Sequence, residues 1–322
     1  MPQDGKNPRP SRLRRSTLSL GAIGCALATL VLTAGCTQEE DENIDITDAI
    51  LTSRAANCAD YAAAYSATAT DVQRRETYNA AVEVSANGSR CTIASNAVPN
   101  HDFNATGHFA TPFSEQEQSY TITATPTAAA TTTALSLQYD NAVLLNGVKV
   151  DLLAAGCFGV GDGNIGCFNL NTPYRYNPMA PNTFGLDEHH AHTQPNGSYH
   201  YHGNPMALFD EDNPAQPSPV IGFAADGFPI FGSYIADGDG VRQATSSYQL
   251  KTGTRPGGPG GTFDGTFIDD FDYVAGSGDL DACNGMTQEG VYGYVVTDSY
   301  PYVLGCFTGT PDDSFRKNPP SR

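Results

Sequence analysis

One stretch decides how the chain is read: Asp187-Glu188-His189-His190-Ala191-His192-Thr193-Gln194-Pro195-Asn196-Gly197-Ser198-Tyr199-His200-Tyr201-His202. Five of the seven histidines lie in its last fourteen residues. Pro195-Asn196-Gly197 has the chemistry of a three-residue hairpin loop. Pro presets the first right-handed position, Asn suits the second, and Gly takes the left-handed position of a bulge. Gln194 then pairs with Ser198, His192 with His200, and His190 with His202. Side chains alternate along a strand, so His190, His192, His200 and His202 share one face as two cross-strand pairs. Opposed Cβ atoms lie about 4.5–5.5 Å apart. Imidazoles at that spacing can converge on one ion, with bonds of about 2.0–2.1 Å for zinc. A two-residue Asn196-Gly197 loop would pair His192 with Tyr201 and split the four histidines between faces; Pro195 favours the longer loop. Imidazole suits zinc, copper and nickel, and copper has the highest raw affinity. The expected cofactor is therefore copper or zinc on His190, His192, His200 and His202, with Asp226, Glu188 and His101 as weaker candidates. A structural or pH-responsive histidine cluster is the competing reading.

Working outward, the chain reads as strands. Ala81-Val82-Glu83-Val84 and Cys91-Thr92-Ile93 flank Asn87-Gly88, and Val143-Leu144-Leu145 and Val148-Lys149-Val150-Asp151-Leu152 flank Asn146-Gly147. Both are hairpin signals. Ser119–Thr125 and Ala134–Tyr139 alternate as half-buried strands do, and Val220–Tyr234 and Gly290–Phe307 are apolar and Gly-punctuated. The Ala-rich stretch 49–68 is the one helix expected, carrying Cys58. Gly253–Gly265 reads as a mobile loop. The fold class is mainly β: a single antiparallel, sandwich-like domain with long loops and little helix.

The chain has 322 residues and a formal charge of −18, with only 17 Lys and Arg. That excludes a nucleic-acid binder, which needs basic clusters. At 39% hydrophobic content a packed core is possible and a multi-span membrane bundle is not. No phosphate-binding lysine loop or dinucleotide fingerprint occurs, so no nucleotide cofactor is expected. Five bases precede an apolar run from Leu18 to Leu32 that ends Leu32-Thr33-Ala34-Gly35-Cys36. This is the pattern of an export signal over residues 1–35, and it resembles a bacterial lipobox with Cys36 as the lipid attachment site. The membrane is then a partner through an acyl anchor rather than a span. Without residues 1–35 the chain carries 12 bases and 34 acids, a formal −22, which attracts cations. Residues 36–48 read as an acidic tether.

Six further cysteines remain: Cys58, Cys91, Cys157, Cys167, Cys283 and Cys306. An even count outside the cytoplasm suggests three disulfides. Fifteen connectivities are possible, and neighbour pairing (58–91, 157–167, 283–306) is the simplest.

The chain resembles the YHYH domain family. The motif is Tyr199-His200-Tyr201-His202, set between His190-Ala191-His192 and Gly203-Asn204-Pro205. Gly222-Phe223-Ala224-Ala225-Asp226-Gly227-Phe228-Pro229-Ile230-Phe231-Gly232, Leu280-Asp281-Ala282-Cys283-Asn284-Gly285, Tyr300-Pro301-Tyr302 with Cys306-Phe307, and Ser95-Asn96-Ala97-Val98-Pro99-Asn100-His101 match further segments. The resemblance implies an extracytoplasmic setting and no particular chemistry. Where some relatives carry a second histidine motif, this chain has Met286 and Tyr292-Gly293-Tyr294-Val295. The expected organisation is a small disulfide-tied segment over 49–92, the YHYH domain over 93–310, and a tail over 311–322.

Three functions fit. The first is a lipid-anchored extracytoplasmic protein whose histidine hairpin binds a transition metal. The second is a hydrolase or oxidase using that ion, with an open coordination position near Asp226 or Glu188. The third is a non-catalytic module binding glycan or protein beside an exposed patch of Tyr292, Tyr294, Tyr300 and Tyr302. The sequence names no small-molecule or protein partner.

Overall fold

A computed structural model describes residues 43–161, 165–181, 183–212 and 214–317. The export signal, Cys36 and the first part of the tether lie outside the described residues. The strands are β1 (Ile44–Asp45), β2 (Ala63–Asp71), β3 (Glu76–Asn87), β4 (Arg90–Ser95), β5 (Gln118–Thr123), β6 (Thr133–Ala134), β7 (Ala142–Leu144), β8 (Lys149–Val150), β9 (Ala191–Thr193) and β10 (Tyr199–Tyr201). They continue as β11 (Val220–Ala224), β12 (Pro229–Phe231), β13 (Tyr234–Asp237), β14 (Gly240–Gln243), β15 (Tyr248–Leu250), β16 (Phe271–Tyr273), β17 (Gly285–Gln288), β18 (Val291–Val295) and β19 (Cys306–Phe307). Helix among the described residues is confined to three short 3-10 turns, Cys58–Tyr61, Ile268–Asp270 and Asp313–Phe315. None is long and apolar enough to cross a membrane.

β1 to β5 form one sheet in chain order. An eight-stranded sheet runs β17-β18-β12-β11-β7-β8-β10-β9. β3 shows the period that builds the first sheet: Ala80, Val82 and Val84 are buried while Ala81, Glu83 and Ser85 are exposed. β7, β11 and β12 are buried at every position, as strands covered on both faces are. Residues of both sheets share one hydrophobic core, which includes Val82, Ile93 and Ile122 with Leu144, Val148 and Phe223. Tyr61 meets Phe223 edge-on with ring centroids 5.8 Å apart, and Ser95 Oγ donates to the Gly147 carbonyl at 2.6 Å.

The architecture is the expected β-rich, sandwich-like one, with local differences. The Ala-rich stretch is not a helix beyond the short turn at Cys58: Ala63–Asp71 pairs along its whole length with β3. Ala67, Ala69 and Asp71 face inward while Ser66, Thr68 and Thr70 alternate with them, and that period outweighs the weak helical preference of Ala. Of Ala134–Tyr139 only Ala134 lies in a strand, β6, and Tyr139 makes an isolated bridge to Arg316. The expected boundary at 92/93 falls inside β4. The tether is already part of the fold at Ile44, which pairs in parallel with Tyr65. Residues 311–317 of the expected tail belong to the fold: Phe315 is fully buried and stacks on Tyr120 at 4.5 Å.

Gly253–Gly265 is pinned rather than mobile. Arg255 bonds both oxygens of the buried Asp270, at 2.8 and 2.6 Å, and reaches Asp264. The three disulfides join Cys58–Cys91, Cys157–Cys167 and Cys283–Cys306.

Candidate metal centre

The histidine hairpin has the three-residue loop. Gln194 N bonds the Ser198 carbonyl at 2.9 Å, and Gly197 N returns to the Gln194 carbonyl at 2.8 Å. Gly197 adopts φ +85°, the left-handed conformation a β-carbon disfavours. His192 stands opposite His200, so the alternative pairing with Tyr201 does not occur.

Three of the four expected histidines converge. One ring nitrogen from each of His192, His200 and His202 lies within 4.8 Å of the others. His192 Nε2 and His202 Nε2 are 3.2 Å apart. Two nitrogens on one tetrahedral zinc, at bonds of about 2.0–2.1 Å, would stand about 3.3 Å apart. His190 is not in the group. Its backbone pairs with His202 as expected, His202 N donating to the His190 carbonyl at 2.9 Å. Its φ of +55°, however, turns the ring away to donate Nδ1–H to the Asn204 carbonyl at 2.8 Å. Asp187 imposes that turn: its Oδ1 accepts from His189 N at 3.0 Å and Ala191 N at 3.2 Å, and its carbonyl accepts from His190 N.

The trio is neutral. Burial pushes His200 and His202 well below the ordinary imidazole value, and the neighbouring imidazoles push the same way. His192 is lowered as well, by burial. Neutral imidazoles offer lone pairs, and metal ligation needs the deprotonated ring. A carbonyl only accepts, so His192 carries its proton on Nδ1, 2.8 Å from the Phe184 carbonyl. Its Nε2 lone pair therefore faces His202. Among the described residues His202 Nδ1 is buried with no partner. An unpaired buried polar atom costs about 1–3 kcal/mol, so the trio is poorly satisfied as a purely hydrogen-bonded cluster. The donor set fits a transition metal.

A second set of polar residues lies on the same sheet face. β8 runs parallel to β10 with Val150 beside Tyr201, which places Lys149 next to His200 and Asp151 next to His202. Lys149 Nζ donates to Gln194 Oε1 at 3.0 Å and pairs with Asp140 at 3.2 Å. Gln194 Nε2 donates to Asp151 Oδ2 at 2.9 Å, and Lys317 binds the same oxygen. These residues were invisible to pattern reading. Lys149 and Asp151 alternate with Val148, Val150 and Leu152 and so look solvent-facing. The signal was the parallel register, which depends on a chain crossing no local pattern encodes.

The remaining candidates are engaged elsewhere. Glu188 accepts from Ala105 N and Thr106 N at 3.1 and 2.9 Å. Asp226 sits in the β11–β12 turn and accepts from the Tyr294 hydroxyl at 2.6 Å and Gly309 N at 2.8 Å. His101 stacks on His189 at 3.8 Å and bonds the Tyr201 hydroxyl at 2.7 Å. The expected tyrosine patch is not an exposed surface: Tyr294 is fully buried, and Tyr300 stacks on Phe271 at 4.7 Å.

Fold and site together define a β-sheet protein with a three-histidine cluster on the edge hairpin of its larger sheet. The chain belongs to the YHYH family, whose model, described as YHYH protein, matches residues 119–309. No curated protein and no solved structure matches it.

Proposed function

We propose that the protein is a lipid-anchored protein of the cell envelope that binds one transition metal ion, copper or zinc, through His192, His200 and His202. The observation carrying this reading is the convergence of three imidazoles, two buried and that of His192 half-buried, with one nitrogen of each within 4.8 Å of the others. The envelope setting is supported by the lipobox-like end at Cys36 and by three disulfides, which persist in oxidising compartments. Elemental analysis of protein purified without a histidine tag tests the metal: about one equivalent of copper or zinc per chain is expected, and metal-free protein that takes up neither ion contradicts the reading. Labelled palmitate tests the anchor: Cys36→Ser should abolish incorporation, and equal labelling of wild type and variant contradicts it.

A second reading is favoured by the count of ligands. Three histidines rather than four leave a four-coordinate ion one position for water or substrate, the arrangement of catalytic zinc sites. Hydrolase or oxidase activity at that position is the natural extension of metal binding here.

A further inference from the structure

The three histidines differ in what holds their outer nitrogens. His192 Nδ1 donates to the Phe184 carbonyl at 2.8 Å, and His200 Nδ1 faces the Ser198 carbonyl at 3.4 Å. His202 Nδ1 is buried and has no acceptor among the described residues. With Nε2 turned to His192 at 3.2 Å, ligation through Nε2 leaves His202 a Nδ1–H that must find a partner. A ligating histidine almost always donates its other ring N–H to a carboxylate, a carbonyl or water.

The complementary group stands on the neighbouring strand. The parallel register puts Asp151 beside His202, on the face that carries the trio. Asp151 is 4% exposed, and its Oδ1 is buried without a partner among the described residues. Its Oδ2 is already held by Gln194 and Lys317, so the carboxylate is fixed with one oxygen to spare. One orphan acceptor and one orphan ring nitrogen therefore occupy adjacent positions.

Resting on the metal-binding reading, we propose that Asp151 is the outer carboxylate of the site: when an ion is held by His202 Nε2, Asp151 Oδ1 accepts the His202 Nδ1–H, directly or through one buried water. Asp151 is thus a positioning residue. It fixes the His202 tautomer and ring orientation and raises the basicity of the ligand. Lys317 and Gln194 serve it by holding Oδ2.

The test uses zinc alone as probe, with full-length protein. Long-range nitrogen NMR of the zinc-loaded wild type should show His202 ligated through Nε2, with a slowly exchanging Nδ1–H. In Asp151→Ala that proton should lose protection, and zinc affinity should fall about 10- to 100-fold, the usual cost of losing such a partner. Lys317→Gln loosens the same carboxylate through its other oxygen, so it should keep the protected proton and lower zinc affinity less than Asp151→Ala does. His202 ligated through Nδ1 overturns the proposal, as does folded Asp151→Ala that binds zinc as tightly as wild type. If Asp151→Ala fails to fold, the wild-type tautomer alone decides. Failure of wild type to bind zinc or copper at all is a different result, and it removes the metal reading itself.

Discussion

Gly197 and Gly88 separate two costs that are usually confounded. Both have positive φ, +85° and +63°. A β-carbon at Gly88 would meet nothing within 4 Å. One at Gly197 would sit 2.7 Å from Ser114 Cβ, 2.9 Å from the Pro112 carbonyl and 3.0 Å from Ser114 N. Those atoms cannot retreat cheaply, because Ser114 N donates to the Gly197 carbonyl at 3.0 Å. Gly88→Ala should therefore cost only the left-handed penalty, about 1–2 kcal/mol. Gly197→Ala adds overpacking, typically about 1–3 kcal/mol, for a total of about 2–5 kcal/mol. Gly197→Ala should also weaken zinc binding without touching a ligand, since the loop sets the His192–His200 register; Gly88→Ala should not. Urea denaturation of chelator-treated protein, followed by zinc titration of each variant, measures both effects. Equal losses at the two sites, or unchanged zinc affinity in a destabilised Gly197→Ala, would refute the reasoning.

Replacing Cys157 and Cys167 by Ser opens a loop with a sequence separation of 10 and should cost about 3 kcal/mol, less than opening Cys58–Cys91 with its separation of 33; urea midpoints of the two double variants give the order. Arg255→Ala leaves the fully buried Asp270 without its bidentate partner and should cost about 3 kcal/mol or more; a loss below 1 kcal/mol by the same assay would mean the 253–265 loop is not anchored there. The buried histidines should each withdraw stability from the metal-free protein from about pH 6.5 downward. Burial, then the neighbouring His189, lowers His101 to about 3, and His192, His200 and His202 are lowered too. Between pH 6.5 and the folded values, the unfolded chain binds protons that the fold refuses, so stability is present above 6.5 and lost as pH falls. His101 alone contributes a loss of about 3 kcal/mol by pH 4.5, while Glu211, raised to about 7 by burial, gains stability over the same range. His101 followed by NMR should therefore stay neutral from about pH 7 to 4.5, and a ring that titrates near 6.5 would contradict the burial of a neutral imidazole.

Much of the site was legible because it is local. Pro195-Asn196-Gly197 determines a loop, the loop determines the register, and the register places His192 and His200 opposite each other. His190 escaped that logic. The face rule assumes extended backbone, and Asp187 bonds the chain into a turn one residue before β9 begins. The Asn87-Gly88 signal located its hairpin, yet Asn87 pairs with Arg90, so the loop is Gly88-Ser89. Ala63–Asp71 misled through composition, since a strand of small residues against β3 has the content of a helix. Lys149 and Asp151 were hidden for a different reason. Their role follows from β8 lying parallel to β10, a tertiary pairing between segments about fifty residues apart.

The central claim is a metal held by three histidines from both strands of one hairpin. Titration calorimetry with zinc and with copper, on wild type and His192→Ala/His200→Ala, tests it most directly. One ion per wild-type chain is expected, with loss of binding in the double variant while Tyr201→Phe retains it. Unchanged affinity for both ions in the double variant would contradict the shared-face site.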